Sequence, residues 1–81
     1  MENLKRLCDI PLRQTSVVEE IQCCDRLINR IYDMGITKGS EITPAFRAPF
    51  GDPTAYEIKH TLIALRKKDS REIWVRCQNE L

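Results

Sequence analysis

Hydrophobic and polar positions along this chain change period several times, and each change marks an element. Ser16 to Ile21 carries Val17, Val18 and Ile21, β-branched bulk that predicts a strand. Its alternation is interrupted where Glu19 and Glu20 stand side by side, which predicts a bulge or a rim with one of the two facing water. From Asp25 to Met34 the period becomes helical. Leu27, Ile28, Ile31 and Met34 form one apolar stripe, with Arg26, Asn29, Arg30 and Asp33 opposite. Asp25 is placed to cap the helix start. Gly35 ends it, since the residue after a helix commonly takes the left-handed conformation that glycine adopts without penalty. Ile36 and Ile31 then occupy the two positions that touch in a Schellman motif. Gly39 continues in a turn with Thr37 and Lys38.

Beyond Gly39 the pattern is extended and short. Ser40 to Phe46 alternates, placing Ile42, Pro44 and Phe46 on one face. Pro44 cannot donate to a ladder, so the strand is at an edge or bulged there. Residues Arg47 to Pro53, with Pro49, Gly51 and Pro53, form a loop. Ala55 to Lys59 groups Tyr56 with Ile58, His60-Thr61 makes a tight connection, and Leu62 to Arg66 returns as the second arm of a hairpin. Lys67 to Arg71 is a charged turn. Ile73, Val75 and Cys77 alternate with Trp74 and Arg76 in a last strand. Met1 to Pro11 is a lead-in whose Leu4 and Leu7 cover one end of the fold. About five strands, one short helix and no βαβ rhythm predict a mainly β, closed or partly closed small barrel. The expectation is one domain over residues 1–81.

Charge and chemistry narrow the reading. With 81 residues and a net charge of only +1, the chain has no bulk field to attract nucleic acid or anionic lipid. Only Arg66, Lys67 and Lys68 form a local basic patch. No apolar run approaches the ~18–20 residues that span a bilayer, and nothing resembles a signal peptide, so the expected location is cytoplasmic. The four cysteines, Cys8, Cys23, Cys24 and Cys77, are then expected to be reduced, and their spacing lacks the C-x₂₋₄-C pairs of zinc sites. Cys8 and Cys77 read as small apolar fillers. The single histidine, His60, reads as a turn residue. There is no phosphate-binding glycine motif and no base paired with a nucleophile, so no catalytic residue is assigned and the chain is read as a non-enzyme. The carboxylates Glu19, Glu20, Asp33, Glu41, Asp52, Glu57, Asp69 and Glu72 are scattered, and no metal ligand is assigned. Trp74 is either packed under a lid or an exposed anchor.

Four ordered segments resemble the FeoA family, small accessory proteins of bacterial ferrous iron uptake. They are Arg30-Ile31-Tyr32-Asp33-Met34-Gly35-Ile36, Lys38-Gly39-Ser40-Glu41-Ile42, Ala48-Pro49-Phe50-Gly51-Asp52-Pro53 and Ile63-Ala64-Leu65-Arg66. Together they span roughly Val17 to Val75. The resemblance implies an SH3-like barrel with one short helix. It also implies association with FeoB, a membrane transporter with a cytoplasmic G-protein domain; the near-neutral charge and the lack of a spanning run argue against nucleic-acid binding or membrane insertion by the chain itself. Weak Fe²⁺ binding and weak self-association are left open, and a transition-metal-binding regulator or iron chaperone is the alternative. The family often has glycine where this chain has Arg13 and His60. Gly35, Gly39 and Gly51 are expected to be structural turn residues. Arg47, Phe50 and Asp52 in the proline-bounded loop, with Arg26 and Arg30 on the helix, are the expected partner-binding residues. For Phe50 the alternatives are an exposed anchor and a side chain folded back over the barrel end.

Overall fold

The computed structural model describes residues 4–22 and 25–77, without the side chains of 25–27. Six antiparallel strands form one sheet in the order β1-β6-β2-β3-β4-β5. They are β1 (Leu4–Arg6), β2 (Ser16–Ile21), β3 (Glu41–Arg47), β4 (Thr54–Ile58), β5 (Thr61–Leu65) and β6 (Ile73–Cys77). Helix α1 (Asp25–Asp33) joins β2 to β3, a one-turn helix α2 (Lys67–Ser70) joins β5 to β6, and a 3₁₀ turn (Leu7–Asp9) follows β1. The outcome is the SH3-like architecture expected, with one more strand and one more short helix. The lead-in is therefore part of the sheet: Leu4, Lys5 and Arg6 pair with Arg76, Val75 and Trp74. Lys67 to Ser70, expected as a turn, winds once as α2.

Every strand except β1 feeds one buried cluster. Val18, Ile42, Tyr56, Ile58, Leu65, Ile73 and Val75 come from the sheet, Ile31 and Ile36 from the helix and its exit, and Leu7 and Ile10 from the N-terminal segment. Two bulges curl the sheet around this core. In β2 the pairing with β6 shifts between Val18 and Glu20, so Glu19 is the extra residue, and its carboxylate reaches Arg76 at 3.2 Å. In β3 the pairing with β4 shifts between Pro44 and Phe46. Pro44 stays buried, but the inserted Ala45 reverses the parity and Phe46 turns outward, 55% exposed. The expectation that Phe46 shares the face of Ile42 and Pro44 is corrected by that one residue.

The helix exit is a Schellman motif. The Gly35 N–H donates to the Tyr32 carbonyl at 2.9 Å and the Ile36 N–H to the Ile31 carbonyl at 3.2 Å, with Gly35 at φ 92°. Ile31 and Ile36 are both fully buried. Ile28 and Met34 line the inner side, while Asn29, Arg30, Tyr32 and Asp33 face water. The capping role expected of Asp25 lies outside the described side chains, as does Leu27. Gly39, also at φ 92°, closes the next turn and donates to the Val18 carbonyl at 2.8 Å, returning the chain to β2.

Three non-glycine residues hold positive φ: Arg13 at 73°, Lys59 at 52° and His60 at 69°. The hairpin turn is thus Lys59-His60, between the paired Ile58 and Thr61, one residue earlier than the expected His60-Thr61. Two consecutive positive φ values suit a type I′ turn, which matches the twist of the flanking strands. Arg13 closes a turn on Pro11, the Gln14 N–H donating to the Pro11 carbonyl at 3.2 Å, and its own N–H donates to the Pro44 carbonyl at 2.7 Å. These are two of the positions where the family often has glycine. A left-handed conformation costs a residue with a Cβ about 1–2 kcal/mol, offset in part by the greater freedom glycine has when unfolded. Arg13→Gly and His60→Gly are each expected to raise stability by about 0.5–1 kcal/mol. Urea denaturation checks this: the midpoint should rise with the slope unchanged.

Candidate functional site

The loop between β3 and β4 is built to hold its shape. Its ends are tied by the Ala48 N–H to the Pro53 carbonyl at 2.9 Å, and its apex by the Gly51 N–H to the Ala48 carbonyl at 2.8 Å. Gly51 sits at φ 91°, which glycine alone takes at no steric cost. Pro49 fixes φ inside the turn. The apex residue Phe50 is 96% exposed. It does not fold back over the barrel, so of the two expected alternatives the exposed one is realised. Arg47, at the end of β3, is exposed beside the loop and pairs in the ladder with Thr54.

Asp52 is engaged within the molecule. Its Oδ1 accepts the Lys67 backbone N–H at 2.8 Å, fastening the loop to the first turn of α2. Arg30 is exposed in the last turn of α1, and the Arg26 side chain lies outside the described residues. The two groups of expected partner-binding residues are attached at opposite ends of β3. The path from α1 enters that strand at Glu41 and the loop leaves it at Arg47, roughly 20 Å away at ~3.3 Å per residue. Arg47, Phe50 and Asp52 thus lie on one continuous stretch of chain, and Arg30 comes from a separate element.

Beneath the loop is a cavity of about 310 Å³ that sequence reasoning did not anticipate. Cys8, Arg47, Thr54, Tyr56, Lys67 and Ser70 line it. Tyr56 and Ser70 are almost wholly buried, at 2% and 1%. Burial pushes the Tyr56 phenol above its ordinary range, while the Ser70 and Thr54 hydroxyls beside it pull the other way. Burial also raises the Cys8 thiol, helped by Asp9 and opposed by Lys67. Both groups are therefore neutral near pH 7. The one early signal for this cavity was the basic run Arg66-Lys67-Lys68.

Trp74 is half-buried and held in place. Its Nε1–H donates to Gln22 Oε1 at 3.0 Å, and the Arg6 guanidinium sits 4.9 Å from its ring centroid, a cation–π contact. Cys8 and Cys77 are free thiols; Cys23 and Cys24 lie outside the described residues. Among the described residues, no three His, Cys, Asp or Glu side chains come together to hold a metal ion. No described helix is long and apolar enough to cross a membrane.

The fold is a six-stranded SH3-like barrel whose β3–β4 loop, hydrogen-bonded across its base, presents an exposed aromatic apex. The FeoA domain pattern matches residues 5–77, and the chain belongs to that family, which is associated with ferrous iron transport. The match begins well before Val17, as expected once β1 and Leu7 are part of the fold. An FeoA-like protein from Clostridium acetobutylicum is 30% identical over all of this chain and 94% of its own, with a TM-score of 0.89. FeoA of Stenotrophomonas maltophilia, solved in complex with zinc, is 29% identical over 85% of this chain and 86% of its own, with a TM-score of 0.74. That protein is described as a prokaryotic SH3 domain protein suggested to activate ferrous iron transport. A manganese-dependent transcriptional repressor shares the fold at 19% identity over 91% of this chain and 41% of its own, with a TM-score of 0.83. No curated protein matches the sequence.

Proposed function

We propose that this protein is a non-catalytic accessory module of ferrous iron uptake that binds the cytoplasmic part of a FeoB-like transporter through the loop Ala48 to Pro53. The observation that carries the reading is Phe50, 96% exposed at the apex of a loop hydrogen-bonded across its base. A large apolar side chain held in water by a preordered loop loses little freedom when a partner covers it. Phe50 with the adjacent Arg47 supplies the residue types that most often dominate interface energy. Family membership supports the transport role, and the cytoplasmic location follows from that partner. Arg30, exposed on α1, is assigned to the edge of the contact.

The test is the affinity of the Phe50→Ala, Arg47→Ala double variant for the purified cytoplasmic domain of the transporter. Affinity is expected to fall at least roughly tenfold, which corresponds to ~1.4 kcal/mol, with lowered iron uptake and an unchanged melting temperature. Normal binding by the folded variant overturns the loop as the docking surface. The zinc-bound Stenotrophomonas relative supports the second reading, a transition-metal-binding regulator or iron chaperone. Anaerobic titration with Fe²⁺ separates the two, since tight stoichiometric uptake by the isolated protein favours the second.

A further inference from the structure

The cavity under the loop has a composition that barrel closure does not call for. Two cations, Arg47 and Lys67, face the same space as the hydroxyls of Thr54, Tyr56 and Ser70. These residues arrive from three separate stretches of chain: the end of β3, the start of β4 and α2. Both cations are exposed at its edge, and the lining holds no acid to neutralise them, so an anion entering this space meets two positive charges.

The lining contains no aspartate or glutamate. Two carboxylates border it, each already engaged: Asp52 accepts the Lys67 backbone N–H at 2.8 Å, and Asp9 accepts from the Cys8 thiol at 3.8 Å. Asp69, on α2 itself, is half-buried and is not part of the lining.

The neutral groups are of the kind that donate. Tyr56 keeps its proton because burial disfavours the phenolate, and a phenol with its proton is a hydrogen-bond donor. Ser70 Oγ makes a long 3.4 Å bond to the Lys67 carbonyl and lies beside the Tyr56 phenol, and its hydroxyl can rotate toward a better acceptor. The Cys8 thiol stays protonated for the same reason as Tyr56 and brings no negative charge. The volume of about 310 Å³ lies at the lower end of the range for small-molecule sites, enough for an oxyanion and a small attached group.

We propose that this cavity is a binding site for a phosphate-class oxyanion, held by Arg47 and Lys67 and hydrogen-bonded by the hydroxyls of Tyr56, Ser70 and Thr54. Arginine presents a planar fork that matches phosphate oxygens, and lysine adds a point charge. The ligand sits against Gly51, in the loop that carries Phe50. The site shares Arg47 with the proposed docking surface, whereas Lys67, Tyr56 and Ser70 lie outside the docking loop, so variants at Lys67 and Tyr56 test the anion site separately.

The experiment is titration of the isotopically labelled full chain by amide NMR with inorganic phosphate, methyl phosphate and acetate, at constant ionic strength set with chloride. Phosphate is expected to give saturable shifts confined to Gly51, Thr54, Tyr56 and Lys67 to Ser70. Lys67→Ala and Tyr56→Phe are each expected to weaken it roughly tenfold, the size of one hydrogen bond to a charged group. Tyr56→Phe keeps the buried ring and therefore the fold, and its affinity for the transporter domain is expected to be unchanged. Tighter binding of phosphate than of methyl phosphate identifies the free ion as the ligand, and the reverse order identifies a phosphomonoester. Shifts that are linear in concentration and spread over all surface cations overturn the site, as do acetate binding as strong as phosphate binding and indifference to both substitutions.

Discussion

Leu7→Ala is expected to cost about 2–5 kcal/mol, the range for removing a buried leucine side chain, and to leave much of the protein unfolded at room temperature. Leu7 is fully buried in the 3₁₀ turn that follows β1. It joins Ile10 and the inward residues of the sheet in a single cluster. A core of this size rarely leaves more than ~3–5 kcal/mol of net stability, so one truncation consumes most of it. Leu12→Ala is the control. Leu12 lies five residues on and is 39% exposed, and its loss is expected to stay within about 0.5 kcal/mol. Urea denaturation of the two variants decides the matter. Equal midpoints would mean that the N-terminal segment is a detachable arm.

That contrast shows where sequence reading of this chain stops. Leu7 was legible as a cover for one end of the barrel, but β1 was not legible as a strand. Leu4-Lys5-Arg6 is three residues long, too short for alternation to appear, and two of the three are charged. Its pairing with β6 is imposed by the sheet and by Leu7 anchoring the chain just beyond it. Strands β2 and β6 were legible because their inward residues, Val18 and Ile73 with Val75, keep a period of two that charged neighbours set off. The bulge at Glu19 was one of the two readings, bulge or rim, that the adjacent glutamates left open, since both cannot face a dry interior.

The parity of β3 was lost at Ala45, because an inserted residue leaves no signature in composition, and Phe46 was assigned to the wrong face in consequence. The hairpin turn was placed one residue late for a related reason. Lys59 and His60 adopt positive φ without the glycine or asparagine that usually announces it. The loop between β3 and β4 was legible from its prolines and glycine, and the exposure of Phe50 resolves the open choice for that side chain. The cavity was not. Its hydroxyls at Thr54, Tyr56 and Ser70 are ordinary residues in sequence, and only the return of α2 against the base of the loop, fixed by Asp52 on the Lys67 N–H, brings them together with Arg47.

Gly35→Val carries the other large effect, and its cause is backbone geometry alone. A Cβ built at Gly35 meets no atom within 4 Å, so there is space for a side chain. The obstacle is φ 92°, a region that β-branched residues scarcely enter. Holding such a conformation costs on the order of 1–3 kcal/mol. The alternative is to abandon it, which breaks the Gly35-to-Tyr32 and Ile36-to-Ile31 hydrogen bonds and lifts Ile36 from its buried place beside Ile31. Either route is expected to lower stability by about 2 kcal/mol, or roughly 8–16 °C in melting temperature for a domain of this size. The order Val, then Ala, then Asn is the diagnostic result. Asparagine tolerates the left-handed region better than alanine, and alanine better than valine. Loss of a contact would follow side-chain volume instead, making Ala the mildest of the three. An unchanged melting temperature for Gly35→Val would mean that the helix exit is not held left-handed in solution.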